Sequence, residues 1–145
     1  MIAGEKVRLS QPGWADLARD SIWLLDDELN ALDPAVGKIV NSLSFAIQTL
    51  DGKHIGMCGV YNFSACDGQI GIRIGDKKYW GKGYGTDTVS ILVNFCLTIL
   101  GVARIWLKVL PTNGRAIRCY EKCGFTKCGK IVYDEIEFVM MDKRR

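Results

Sequence analysis

Apolar residues recur at Trp14, Leu17, Ala18, Ile22, Leu25 and Leu29, a spacing that predicts a helix from Trp14 to Leu32 with one buried face. Ahead of it, Lys6-Val7-Arg8-Leu9 alternates as a short strand does, and Ser10-Gln11-Pro12-Gly13 closes it. Pro34 ends the helix and opens a short second one to about Val40. Leu43 to Thr49 and His54 to Phe63 read as strands joined across Leu50-Asp51-Gly52-Lys53, where Asp-Gly is a hairpin signal. A second such pair, Asp67-Gly68, predicts the turn into a third strand, Gln69 to Ile74. An apolar helix is expected from Gly83 to Leu100, ended by Gly101. Arg104 to Val109 is the next strand, and Asn113 caps a helix running to Cys123, with Gly124 closing it. Phe125 to Val132 and Glu135 to Met141 form a final antiparallel pair around Tyr133-Asp134. The order β-α-(α)-β-β-β-α-β-α-β-β predicts an α/β fold: a mixed, mainly antiparallel sheet flanked by helices.

Composition narrows the class. A chain of 145 residues, 48% apolar and 24% charged, fits one domain spanning 1–145 and excludes a disordered protein. The longest apolar run, Val89 to Leu100, is broken by Asn94 and Thr98 and falls short of the roughly 20 residues that span a bilayer. The first residues, Met1-Ile2-Ala3-Gly4-Glu5-Lys6, lack the basic-then-apolar run of a secretory signal. A cytoplasmic protein with no membrane partner is therefore expected. Six cysteines form no C-x-x-C pair and His54 is the only histidine, so neither a metal site nor a disulfide framework is expected. Most of the cysteines read as small buried hydrophobes.

The net charge of +3 conceals a division. Residues 1–69 hold five Lys/Arg against nine Asp/Glu, whereas residues 70–130 hold eleven against three. The basic segment calls for an acidic ligand and the acidic one for a cationic partner, unless solvated faces merely sort this way. Nucleic acid is not the expected partner: no helix rich in Arg and Lys is present, and the Val89–Leu100 helix is too apolar to serve.

The basic segment contains Trp80-Gly81-Lys82-Gly83-Tyr84-Gly85-Thr86 between a strand and a helix. Alternate glycines let a backbone approach a ligand closely, and a helix N-terminus adds unpaired N–H groups and a positive dipole end. A phosphate suits that place, and Lys77, Lys78 and Lys82 add charge around it. The loop fits neither the Walker pattern nor the dinucleotide fingerprint, which would put a glycine where Thr86 stands.

Gln69 to Thr86 resembles motif A of the GNAT superfamily of acetyl-CoA-dependent N-acyltransferases, and Asn113 to Phe125, with its tyrosine, Glu-Lys and Gly-Phe, resembles motif B. The wording of the glycine loop is most similar to the branch that includes the ribosomal-protein N-terminal acetyltransferases, and Trp23 to Asn30 is more loosely similar to its first helix. The resemblance implies a GNAT-like fold, acetyl-CoA as cosubstrate and an amine of a peptide, protein or small molecule as acceptor. It further implies that backbone groups of Ile72, Arg73 and Ile74 pair with the pantetheine arm, and that amides of Gly81, Lys82, Gly83, Tyr84, Gly85 and Thr86 cradle the pyrophosphate. Asn113 would touch the cofactor where the central strands splay, and Tyr120 would protonate the departing thiolate. A phenol, with an ordinary pKa of about 10, suits that step. The other reading of Tyr120 is a core aromatic beside Ile117.

The chain departs from the family in three respects. Trp80 stands where Gln or Arg usually opens the loop. Gln69 and Lys108 occupy the places where relatives often carry a glutamate base, which leaves Asp67, His54 or a water relay for that task. The 32 residues from Gln11 to Ser42 leave a shortened helix region between the first two predicted strands. In the family that region walls the acceptor site, so a short version implies an open site or a homodimer that completes the wall. Asp26, Asp27 and Glu28 lie there and would attract a cationic amine, or form a solvated helix face. The missing glutamate also motivates a second function reading, a CoA-binding module without catalysis.

Overall fold

The computed structural model describes residues 2–13 and 42–145. It begins with two short strands, β1 (Ile2–Ala3) and β2 (Val7–Ser10). Two residues cannot show alternation, so β1 carries no sequence signal. An antiparallel meander follows, of β3 (Ser42–Thr49), β4 (His54–Tyr61) and β5 (Asp67–Ile74). Then come α1 (Tyr84–Phe95), β6 (Arg104–Val109), α2 (Gly114–Lys122), β7 (Thr126–Tyr133) and β8 (Ile136–Arg144). The strands form one sheet in the order β1-β2-β3-β4-β5-β6-β8-β7, antiparallel throughout except between β5 and β6. The helices expected between Trp14 and Val40, and with them Asp26, Asp27 and Glu28, lie outside the described residues.

Three local expectations are corrected. Asp67 and Gly68 do not turn the chain; they are the first two residues of β5. The turn comes earlier, where Asn62 takes a left-handed φ of 50° and the Ser64 hydroxyl accepts from the N–H groups of Cys66 and Asp67. Such serine-based turns compete with Asp-Gly for the corner. The final hairpin turns at Asp134-Glu135, both at positive φ, one residue later than expected. The apolar helix is also not uniform. Its last five residues, Cys96–Leu100, widen to π geometry before Gly101 ends it at φ 69°.

α1 buries Thr88, Val89, Ile91, Leu92 and Val93, while Ser90 and Asn94 point outward. Its inner face meets Val7, Leu9, Ile70, Ile105 and Leu107 of the sheet in one core cluster. Only two of the six cysteines, Cys58 and Cys96, are buried there; Cys119 and Cys123 are half-buried and Cys66 and Cys128 exposed, which corrects the expectation that most are buried hydrophobes.

Asp87, in the first turn of α1, ties the N-terminal segment to the helix. Its carboxylate accepts from the backbone N–H of Glu5 (3.3 Å), Lys6 (2.9 Å) and Val7 (3.0 Å). Gly4 permits this approach, since a Cβ there would stand 2.6 Å from the carboxylate. Asp87→Ala is expected to cost about 2 kcal/mol, because hydrogen bonds to a charged group are the stronger kind. For a chain of this size that lowers Tm by roughly 4–8 °C; an unchanged melt would show that the tether carries no stability.

Candidate active site

The site originates in a defect of pairing. β5 and β6 run parallel and pair only over Asp67–Gln69 with Arg104–Trp106. β5 nevertheless keeps β4 as partner through Ile74, and β6 keeps β8 through Val109. The two central strands therefore part while their outer neighbours hold them, and a gap opens toward the end of β5. Gly75 donates to Ile55 O on β4 at 2.9 Å. By alternation along an antiparallel strand, the backbone groups of Arg73 also face β4, while those of Ile72 and Ile74 face the gap.

The loop after β5 is fixed before the glycines begin. Asp76 caps a single 3-10 turn, Lys77–Tyr79, by accepting from Lys78 N–H at 3.1 Å, and pairs with Lys53 at 3.4 Å. Trp80 then folds back, its indole N–H donating to Ile74 O at 2.7 Å. Trp80 thus anchors the glycine loop to the end of β5, which accounts for a bulky residue where the family usually has Gln or Arg. It also occupies the Ile74 carbonyl, so Ile72 presents both of its backbone groups to the gap and Ile74 its N–H.

Gly81 and Gly83 take left-handed φ of 71° and 87°. Gly83 is the N-cap of α1, with no side-chain cap, and the Asp87 N–H to Gly83 O bond (3.0 Å) begins the ladder. The amides of Tyr84, Gly85 and Thr86 ahead of it have no i−4 partner within the helix. Gly85 brings the backbone close to α2, 3.7 Å from the Cys119 sulfur by its ideal Cβ position.

Gap, loop and α2 enclose a cavity of about 400 Å³, within the size of small-molecule sites. Of the residues singled out from sequence, Ile72, Arg73, Ile74, Gly81, Gly83, Gly85, Thr86, Asn113 and Tyr120 line it. Lys82 and Tyr84 do not. Lys82 is exposed, and the Tyr84 ring packs edge-on to Tyr79 at 4.9 Å. The Asn113 side-chain oxygen caps α2 by accepting from Ala116 N–H at 3.3 Å. Tyr120 is 7% exposed and edge-on to Phe125 at 6.1 Å, so it is a core aromatic and a cavity residue at once.

Asp67, His54 and Gln69 do not line the cavity. Asp67 pairs with Arg104 at 3.8 Å at the far end of β5, and His54 opens β4 beside the hairpin. Lys108 does line it, its ammonium 4.4 Å from the Phe138 ring centre. Among the described residues no carboxylate or imidazole faces the cavity; its charged lining is Arg73, Lys108, Arg115, Arg118 and Lys122. The last three stand at i, i+3 and i+7 on α2, a helical stripe legible in the sequence and not singled out there. Arg115 stacks on Trp80, its guanidinium carbon 4.0 Å from the ring centre. Lys6 is a cation no local pattern could have found: its ammonium lies 5.5 Å from the Tyr84 ring centre, and its Cε would touch a Cβ at Gly83 at 3.3 Å.

The family model described as acetyltransferase (GNAT) domain matches residues 12–126. The chain belongs to the GNAT acetyltransferase family. An uncharacterized N-acetyltransferase, p20, of Bacillus licheniformis is 32% identical over 114 residues, 77% of this chain and 60% of that one. A kanamycin resistance protein of Rhizobium radiobacter is 40% identical over 65 residues, 45% of this chain and 60% of that one. The aligned part thus spans 60% of each of these curated relatives. Among solved structures, an aminoglycoside acetyltransferase in complex with coenzyme A superposes with a TM-score of 0.82 at 24% identity, covering 96% of this chain and 95% of that one. That likeness bears out the expected GNAT fold. The basic lining and the glycine cradle are what this GNAT domain brings to its cavity. No group of three or more metal-ligating side chains, and no helix able to cross a membrane, occurs among the described residues.

Proposed function

We propose that this GNAT domain, read as one domain over 1–145, transfers the acetyl group of acetyl-CoA to a primary amine by direct attack. The observation that carries the proposal is the meeting of parted strands, a glycine loop and a lining whose charged residues, among those described, are all basic. Acetyl-CoA supplies a thioester whose carbonyl carbon accepts the amine and whose thiolate departs. Its pyrophosphate fits the amides of Gly83 to Thr86, where a helix N-terminus favours negative charge. Its ribose phosphate has Arg115, Arg118 and Lys122 for partners. Ile72 presents sheet-like groups to the pantetheine amides, and the Tyr120 hydroxyl protonates the sulfur. The described lining provides no side chain able to take the proton of an ammonium, so that proton goes to water or to a residue outside the described ones.

Small cationic amines are the favoured acceptors, since the relatives include a kanamycin resistance protein and the solved neighbour is an aminoglycoside acetyltransferase. A protein N-terminus is the second reading, favoured by the wording of the Trp80–Thr86 loop. In either case the short Gln11–Ser42 segment leaves two readings of the acceptor wall, an open site or a wall completed by a second copy of the chain. Thiol release from acetyl-CoA, measured with kanamycin, spermidine and an unblocked peptide in parallel, tests the proposal. Turnover on at least one is expected. Acetyl-CoA binding without turnover on any of them would instead favour the non-catalytic module, and absence of binding would remove both readings.

A further inference from the structure

We infer that Cys119 and Cys123 form a dithiol modification site, at which peroxide oxidation closes a disulfide and shuts the phosphate cradle. Both cysteines are half-buried on the α2 side that faces α1. Both sulfurs lie against one residue of the cradle: the Thr86 hydroxyl donates to the Cys119 sulfur at 3.5 Å, and the Cys123 sulfur stands 3.5 Å from Thr86 O, to which its protonated form donates. The Ser90 hydroxyl lies 3.6 Å from the Cys123 sulfur on the other side. Four residues apart on a helix, their Cα atoms stand about 6.2 Å from each other by helical geometry, within the range a disulfide spans. Cys123 is the C-cap residue and already leaves helical geometry (φ −90°, ψ 6°), so the last turn can give without unwinding the helix.

The electrostatics favour one sulfur as nucleophile. A hydrogen bond from Cys119 lowers Cys123 to about 6, helped by Ser90 and by the ammonium of Lys143 against the opposing effect of burial. Cys119, which keeps the shared proton, is raised first by that hydrogen bond and then by burial. Lys143 also donates to Cys123 O at 3.1 Å, which holds its charge at this end of α2. Thiolate character and access together decide which cysteine reacts.

The chemistry balances with hydrogen peroxide as oxidant. The Cys123 thiolate attacks one peroxide oxygen; the S–O bond forms, the O–O bond breaks, and hydroxide leaves to become water. Cys119 then attacks the sulfenic sulfur; the S–S bond forms, the S–O bond breaks, and the second oxygen leaves as water with the Cys119 proton. Two thiols are oxidised and one peroxide is reduced to two waters. Bringing the sulfurs together removes both contacts to Thr86 and draws the end of α2 away from the first turn of α1, where the cradle amides lie.

The test uses the reduced full-length chain. Brief treatment with iodoacetamide at pH 7, read by peptide mass mapping, should label Cys123 at least tenfold faster than the exposed Cys66 and Cys128. Hydrogen peroxide should then give a two-dalton loss confined to the Cys119–Cys123 peptide. It should also weaken acetyl-CoA binding at least tenfold, reversed by dithiothreitol. Cys123→Ser, which keeps a donor to Thr86, should bind acetyl-CoA as the parent does and ignore peroxide. Labelling of Cys123 no faster than Cys66, or a disulfide that leaves acetyl-CoA affinity unchanged, overturns the inference. The effect on acetyl-CoA rests on the function proposed above, whereas the labelling and mass readouts do not. A reduced chain that fails to bind acetyl-CoA at all therefore sinks that function and the cradle-closing half of this inference, and leaves the disulfide to be judged by mass alone.

Discussion

Tyr120→Phe is expected to lower kcat by about 100-fold or more, the usual worth of a positioned general acid, while acetyl-CoA affinity stays within about twofold. The separation follows from where the side chain sits. Its ring is 7% exposed and packs edge-on to Phe125, and phenylalanine preserves both contacts. Only the hydroxyl is lost, on a residue that lines the cavity beside the gap. If Tyr120 serves the core alone, turnover would be unchanged and only the melting temperature would move. Steady-state kinetics on the best acceptor, with a parallel melt, decides between the two.

Gly83→Val is expected to weaken acetyl-CoA binding by about 100-fold or more, through the backbone rather than through a collision. At φ 87° a left-handed residue other than glycine costs about 1–2 kcal/mol, and a β-branched one more. A Cβ at this position would meet only the flexible end of Lys6, at 3.3 Å, so the strain falls on the N-cap and re-aims the amides behind it. Gly101→Val is the matched control. It imposes the same kind of strain at φ 69° beyond the other end of the helix, with nothing within 4 Å of a Cβ and no place in the cavity. Both variants should melt earlier, and only Gly83→Val should lose acetyl-CoA in calorimetry. Parallel losses in the two would mean that stability, not the cradle, controls binding.

What could be read from the chain was mostly local. Apolar β-like runs located β3, β4 and β6 and all of β5 but its first two residues, and the Asn113 cap and the Gly101 stop fall where helix-end chemistry puts them. The glycine loop was legible because it consists of consecutive backbone positions, two of them at left-handed φ. The turn before β5 was not, because Ser64 and Asn62 compete with Asp-Gly for the same corner and only the pairing of Asp67 with Arg104 settles it. The gap itself is a lack of pairing between strands joined by a long crossover, and no window of sequence displays a missing partner. Asp87 reaches Lys6 across 81 residues, which likewise leaves no local trace. His54 and Asp67 looked suitable as bases by residue type, and position alone removes them from the described lining.

The parted strands have a consequence for solubility. Ile70-Gly71-Ile72-Arg73-Ile74 is apolar-rich and β-prone, and past Gln69 one side of its backbone has no strand beside it. An unpaired strand side is a template for a foreign strand, and proteins guard such sides with charge or cover. Here the guard is Arg73 on the strand itself and the Arg115, Arg118 and Lys122 stripe on the facing wall. Two copies offering this segment to each other would bring like charges together in a confined space. The same cations that line the cavity therefore set like charge against the addition of a second copy's strand at this segment.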